Sequence, residues 1–214
     1  MTPKFNFLSP GGSAITPEEW VNDWSKKFPR PSDRLYDYLV RKASKMTSDD
    51  LRILGAWKDG ALEKSVFSGE GQFDPNNTKY SFNGKWKPSA ASVAFETWET
   101  IAEELGGNMQ DGYPPDPEEF LRKWEQERAG AKAKRFGLSR ATSLLHFISG
   151  GRYPIFDKNV RRGMHLLTGT TVEYTLEWYS GGFRKLFSEL ARECKCETNP
   201  RKVEMALFAY GKKE

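Results

Sequence analysis

Residues 136–163 read FGLSRATSLLHFISGGRYPIFDKNVRRG, and the stretch holds a single carboxylate, Asp157. From 130 to 170 its charged company is all cationic: Lys132, Lys134, Arg135, Arg140, Arg152, Lys158, Arg161 and Arg162. A lone acid in that setting has two uses. It can cap the helix it opens, which stabilises by roughly 1 kcal/mol. It can also steady a developing positive charge or activate a water, and one residue can do both. The cations themselves form a one-signed patch, whereas residues 96–127 are acid-rich. Such polarity favours an anionic partner on the basic face.

Two elements must position these groups. Phe136-Gly137-Leu138-Ser139-Arg140 places a glycine between apolar residues at a helix start. It reads either as a plain helix–helix turn with solvated cations or as a turn whose first N–H groups face an anion. Lys134, Arg135 and Arg140 flank that point. The apolar, proline-interrupted Tyr153-Pro154-Ile155-Phe156 then reads as buried packing that sets where the helix at Asp157 begins.

Helical signals run through the rest of the chain. Thr16-Pro17-Glu18-Glu19, Thr47 to Asp50 and Asp116-Pro117-Glu118-Glu119 read as capping boxes. Ser32 is the expected cap of a second helix. Further helices are predicted over 89–105, 138–149, 157–167, 171–194 and 200–210, with Gly181-Gly182 splitting the run at 171–194. Residues 68–88 read as a loop, with a hairpin signal at Asn83-Gly84. Strand-like alternation is nearly absent. The expected fold is all-α, with eight or more short helices in a single domain spanning 1–214. Its lobes would be 1–67 plus the C-terminal helices, and 89–170 with the hairpin 134–142.

The 214 residues carry a net charge of +4 and 37% hydrophobic residues, which suits a soluble globular chain. No window approaches the ~20 apolar residues of a membrane span, and the N-terminus lacks a secretion-signal pattern. Cys194 and Cys196 read as free thiols in a reducing cytoplasm, and two thiols cannot complete a metal site unaided. A monomer with no cofactor and no metal is expected. Trp20, Trp24, Trp57, Trp98 and Trp124 sit at helical spacing as core. His146 reads as an interior histidine, His165 as a surface one, and Glu204 as one half of a helix surface salt bridge, with an approach to the cleft as the alternative.

Gly137-Leu138-Ser139-Arg140-Ala141-Thr142, an apolar helix, Tyr153 to Asp157 and then Lys158-Asn159-Val160-Arg161-Arg162 form a pattern. It resembles the helix-hairpin-helix DNA glycosylase superfamily, which shows G-V-G-x-K-T-A, an apolar helix and D-x-H-V-x-R. The flavour is closest to the small bacterial 8-oxoguanine DNA glycosylase-like branch, whose H-F-x-x-P-x-x-F-P-I-Y-D is similar to His146-Phe147 and Tyr153 to Asp157. Weaker echoes lie in Leu54-Gly55-Ala56-Trp57-Lys58 and in Met205 to Gly211. The resemblance implies a helix-hairpin-helix bundle that binds double-stranded DNA. Gly137, Leu138, Ser139 and Arg140 would grip a phosphate, and Asp157 would assist rupture of the base–sugar bond of a flipped base.

The departures refine that expectation. Ser139 replaces the second hairpin glycine and must avoid a left-handed backbone. Ala141 stands where the family carries its Schiff-base lysine and supplies no amine for a lyase step; Lys132 and Lys134 are the amines left within reach, and nothing in the spacing supports either. A monofunctional, water-using DNA glycosylase is expected, with Lys134, Arg135, Arg140, Lys158, Arg161 and Arg162 on the DNA face. The family's four-cysteine iron–sulfur motif is missing. Phe73, Tyr80, Phe82, Trp86 and Tyr113 are candidates for a wedge in nucleic acid, or for hairpin packing. Two rival readings remain: a nucleic-acid-binding module that has lost the chemistry, and a helical interaction protein.

Overall fold

A computed structural model describes residues 5–28, 31–58, 117–128 and 136–212. The readings made for 59–116, including the 68–88 loop, the wedge aromatics, Trp98 and the cap at Asp116, lie outside the described residues. So do Lys132, Lys134 and Arg135. The described helices are α1 (Pro17–Ser25), α2 (Pro31–Lys42), α3 (Ser48–Lys58), α4 (Pro117–Arg128), α5 (Leu138–Ile148), α6 (Lys158–Thr168), α7 (Arg184–Glu193) and α8 (Pro200–Lys212). The described residues contain no strand, and one isolated bridge joins Leu8 to Ala14. The chain is all-α to this extent. No described helix is long and apolar enough to cross a membrane.

The chain divides into two compact units, Met1–Phe28 with Tyr153–Glu214, and Pro29–Arg152. The first unit is built around α6, α8 and α1. Its tightest packing is a glycine crossing. A Cβ on Gly163 of α6 would overlap the Leu207 carbonyl oxygen of α8 and lie 2.9 Å from its carbon. A Cβ on Gly211 would overlap the Asn159 carbonyl and lie 2.6 Å from Gly163 N. Only residues without a side chain let the two backbones approach this closely. On the other side of α8, Tyr210 takes the edges of Trp20 and Trp24 from α1, and Phe208 meets Phe28. The Thr16 hydroxyl accepts from Glu19 N while the Glu19 carboxylate accepts from Thr16 N, a complete capping box. That hydrogen bonding holds the Glu19 carboxyl below its usual range.

In the second unit α5 is the buried centre, with every residue from 141 to 149 inaccessible. A helix covered all round needs partners on several sides, and α2, α3 and α4 supply them. Tyr36 of α2 bonds His146 Nε2 at 2.7 Å, so His146 is a satisfied interior residue. Thr47 and buried Asp50 cap α3 reciprocally, and Tyr38 donates to Asp50 at 2.6 Å. The end of α5 follows from Gly150-Gly151. Gly150 takes φ 66°, its N–H bonds Phe147 O, and Gly151 N–H bonds His146 O. Those two bonds satisfy carbonyls that the last helical turn leaves open.

Two sequence expectations are corrected. Helix α2 starts at Pro31, one residue before the expected cap at Ser32, and the fixed φ of proline suits a first helical position. The run at 171–194 is not helical from its start and is not split at the glycines. Helical backbone begins at 176, and Trp178–Phe183 forms a widened π turn that leads straight into α7. The helix continues through Gly181-Gly182, and the Trp178 ring lies 3.3 Å from where a Gly182 Cβ would stand. The absence of a side chain there makes room for the ring rather than ending the helix.

Candidate functional site

Asp157 is the N-cap of α6. Its Oδ1 accepts from Asn159 N and from Val160 N, both at 2.9 Å. These donors are the first-turn amides that a helix leaves unsatisfied. The residue is half-exposed, and Lys158 and Arg162 beside it are exposed. Arg161 is partly committed within the fold. Its Nη1 donates to Val172 O at 3.0 Å, and its guanidinium lies 6.0 Å from the Tyr174 ring centre.

The segment before Asp157 is held atom by atom. Tyr179, from the π turn, donates its hydroxyl to Pro154 O at 2.9 Å. Burial pushes that phenol far up from its ordinary value, so it remains a neutral donor. Ile155 N donates to Glu204 Oε2 at 3.0 Å. The Phe156 ring packs among Tyr174, Tyr179 and Phe183, with centre separations of 5.4, 5.7 and 4.5 Å. The widened π turn brings Tyr179 and Phe183 onto this segment; such turns recur at functional sites. The position of Asp157 is therefore set by α8 and by the π turn as much as by its own helix.

Glu204 corrects the sequence expectation. It is 3% exposed, not a surface residue. It pairs with Arg201 one turn earlier on α8 and receives the Ile155 amide. Arg201 also lies over the Phe28 ring, 4.7 Å from its centre. An acid this deep needs a charge partner and hydrogen bonds, and it has both.

The residues expected to grip a phosphate belong to the other unit. Gly137 is the N-cap of α5, with φ −69° and ψ 170°, and it offers no capping side chain. A Cβ there would meet nothing within 4 Å. Neither backbone conformation nor internal packing requires glycine at this position. Buried Phe136 and Leu138 hold the turn on both sides, and Trp124 Nε1 of α4 donates to Phe136 O at 2.9 Å. The Leu138 side chain is thus core, and only its backbone can touch a ligand. Ser139 and Arg140 are half-exposed. Ser139 lies inside α5, not in the left-handed region, and its carbonyl accepts from the Ser143 hydroxyl at 2.7 Å. Ala141 is fully buried, so its position lies in the core.

Sequence reasoning missed Tyr179, Tyr174 and Arg201 as parts of the Asp157 surroundings; it expected the Glu204 salt bridge but not its burial. One signal was present for Glu204: it shares the apolar face of α8 with Val203 and Leu207. Among the described residues no group of three or more His, Cys, Asp or Glu is placed to hold a metal ion. Cys194 and Cys196 are free and buried. No family model, no curated protein and no solved structure matches the chain.

Proposed function

We propose that the protein binds double-stranded DNA and acts as a monofunctional base-excision DNA glycosylase of the helix-hairpin-helix type. In this reading, Gly137, Leu138 and Ser139 grip a phosphate with backbone N–H groups and Arg140, whose own N–H bonds Gly137 O, adds its cation, joined by Lys134 and Arg135. Lys158, Arg161 and Arg162 add positive potential around the sugar. Asp157 stabilises the cationic sugar that forms as the base departs, and orients the attacking water. The base leaves the stack first, because its sugar carbon is otherwise out of reach. Ala141 offers no amine, so hydrolysis and not strand scission is the outcome.

The observation that carries the reading is the mounting of Asp157. A half-exposed carboxylate stands among cations on a segment clamped by Tyr179, Glu204 and the Phe156 cluster. Catalytic groups need this kind of fixed support. The experiment is base release from oligonucleotides bearing a panel of lesions, scored by alkaline cleavage at the resulting abasic sites. Asp157→Asn should abolish release and leave DNA binding intact. Asn is also a good N-cap, so the fold is retained. Full activity in that variant would remove Asp157 from the chemistry.

One observation favours a second reading, a binding module without catalysis. Two amides at 2.9 Å give Asp157 a complete structural role as a cap. Salt-dependent DNA binding with no release from any lesion would select that reading.

A further inference from the structure

We propose that Tyr174 is a stacking platform for an unpaired nucleobase next to Asp157. This rests on the nucleic-acid reading above and adds to it a ligand surface outside the basic turn. Tyr174 is 43% exposed, and with Leu166 it is one of two large hydrophobic residues so exposed among the described residues. This exposed ring is also packed by its neighbours. It stacks on Phe156, the residue before Asp157, at 5.4 Å and 29° between planes. The Arg161 guanidinium lies 6.0 Å from its centre.

The loop that carries the ring is tied to α6 at several points. Arg161 Nη1 donates to Val172 O at 3.0 Å. His165 Nδ1 donates to Thr170 O at 2.7 Å, and Thr170 N donates to Thr168 Oγ1 at 3.2 Å. A ring held in this way can accept a planar partner without first losing conformational freedom, which is what makes aromatic anchors effective.

The surroundings select the occupant. Lys158 and Arg162 are exposed and lie within one turn of Arg161 on α6, so the same helix offers cations to a polyanion. Glu173 and Glu177, exposed on either side of Tyr174 in the chain, disfavour a phosphate over the ring itself. A ligand that is anionic along its backbone and planar and neutral at its side groups satisfies both conditions. A single-stranded or unpaired stretch of nucleic acid has that chemistry, and base–aromatic stacking tolerates any base.

The test compares wild type, Tyr174→Leu and Tyr174→Trp in the full-length chain. Each is titrated at low salt against a fully paired duplex and the same duplex with one unpaired base. Leu keeps an apolar contact on Phe156 and removes the π face; Trp keeps the face. Tyr174→Leu should weaken binding to the unpaired site about five-fold or more, the lower end of what base–aromatic stacking contributes, and leave the paired duplex unchanged. Tyr174→Trp should retain the preference. A duplex with 5-iodouracil at the unpaired position should photo-crosslink wild type at Tyr174. Equal weakening on both duplexes, or no weakening, overturns the platform and leaves the glycosylase reading standing. If Tyr174→Leu fails to fold, the crosslink decides alone, and crosslinks at other residues only overturn the platform. If wild type binds neither duplex, the nucleic-acid reading fails and the platform with it.

Discussion

Gly163→Ala asks whether the contact between α6 and α8 sets the position of Asp157, and the opposing effects differ in sign. Alanine in place of glycine inside a helix ordinarily stabilises, by about 1 kcal/mol. Here the added Cβ would overlap the Leu207 carbonyl oxygen and stand 2.9 Å from its carbon and 3.2 Å from its Cα. Those atoms are backbone, so no rotamer change relieves the clash. The helices must separate by on the order of 1 Å to restore ordinary carbon contacts. Val160, Met164 and Leu167 are buried on α6, as are Val203, Leu207 and Tyr210 on α8. A gap of that size forfeits roughly a quarter to a half of the dispersion energy of the atoms that line it. Overpacking of this kind costs about 1–3 kcal/mol and at times more, and the rigidity of both partners puts the gross cost near the top of that range. Set against the propensity gain, the net loss is about 2 kcal/mol, or roughly 4–8 °C in Tm for a chain of this size. Gly211→Ala should behave similarly. Because both substitutions push the same pair of helices apart, the double variant should lose clearly less than the sum of the two. Thermal and urea unfolding measure all three. A Tm that stays level or rises in Gly163→Ala would falsify the close crossing of α6 and α8.

Gly137→Ala is the counterpart: φ is −69° and the space beyond Cα is open, so stability should change by no more than about 1 kcal/mol, the N-cap preference of Gly over Ala. If a phosphate approaches that backbone, DNA affinity falls in the same variant, and an unchanged affinity argues against the grip. Glu204→Leu leaves Arg201 without its carboxylate and Ile155 N without its acceptor, and should cost about 3–5 kcal/mol by urea titration. A loss below about 1 kcal/mol would mean that Ile155 and Arg201 find other partners. Burial, with the neighbouring Cys196 second, pushes the Cys194 thiol up to about 12. Since the thiolate is the reactive form, a disulfide reagent at pH 8 should modify native Cys194 about a thousand-fold more slowly than the unfolded chain. Equal rates would refute the buried site.

The features legible in the sequence were those whose cause is local. The Thr16–Glu19 and Thr47–Asp50 boxes and the Asp157 cap need only residues two or three apart, because the groups that bond are the amides of the first turn. The Gly-Gly end of α5 is local as well, since the left-handed residue and the carbonyls it serves lie within six positions. The Gly181-Gly182 pair shows where local logic misleads. Glycine pairs ordinarily end a helix, but here Gly182 lies against the Trp178 ring, Gly181 faces open space, and the π turn runs on into α7. What could not be read was any feature whose two halves lie far apart. Nothing in the neighbours of Gly163 or Gly211 says that each faces the other's helix.

Glu204 shows what that means for the site. An acid on an apolar helix face has the same local sequence whether it snorkels to water or meets a buried amide, and its amide, Ile155 N, lies 49 positions away. The lone acid at Asp157 was legible because the surrounding charges are all of one sign. The acid that holds its segment in place was not, because its meaning comes from packing. The same division applies to the chemistry. A segment clamped by Tyr179 and Glu204 on either side of one peptide has little freedom to relocate Asp157 when a ligand arrives. In the proposed glycosylase reading, a substrate must therefore come to the carboxylate where it already stands, and base release should fall in Glu204→Leu and Tyr179→Phe along with fold stability.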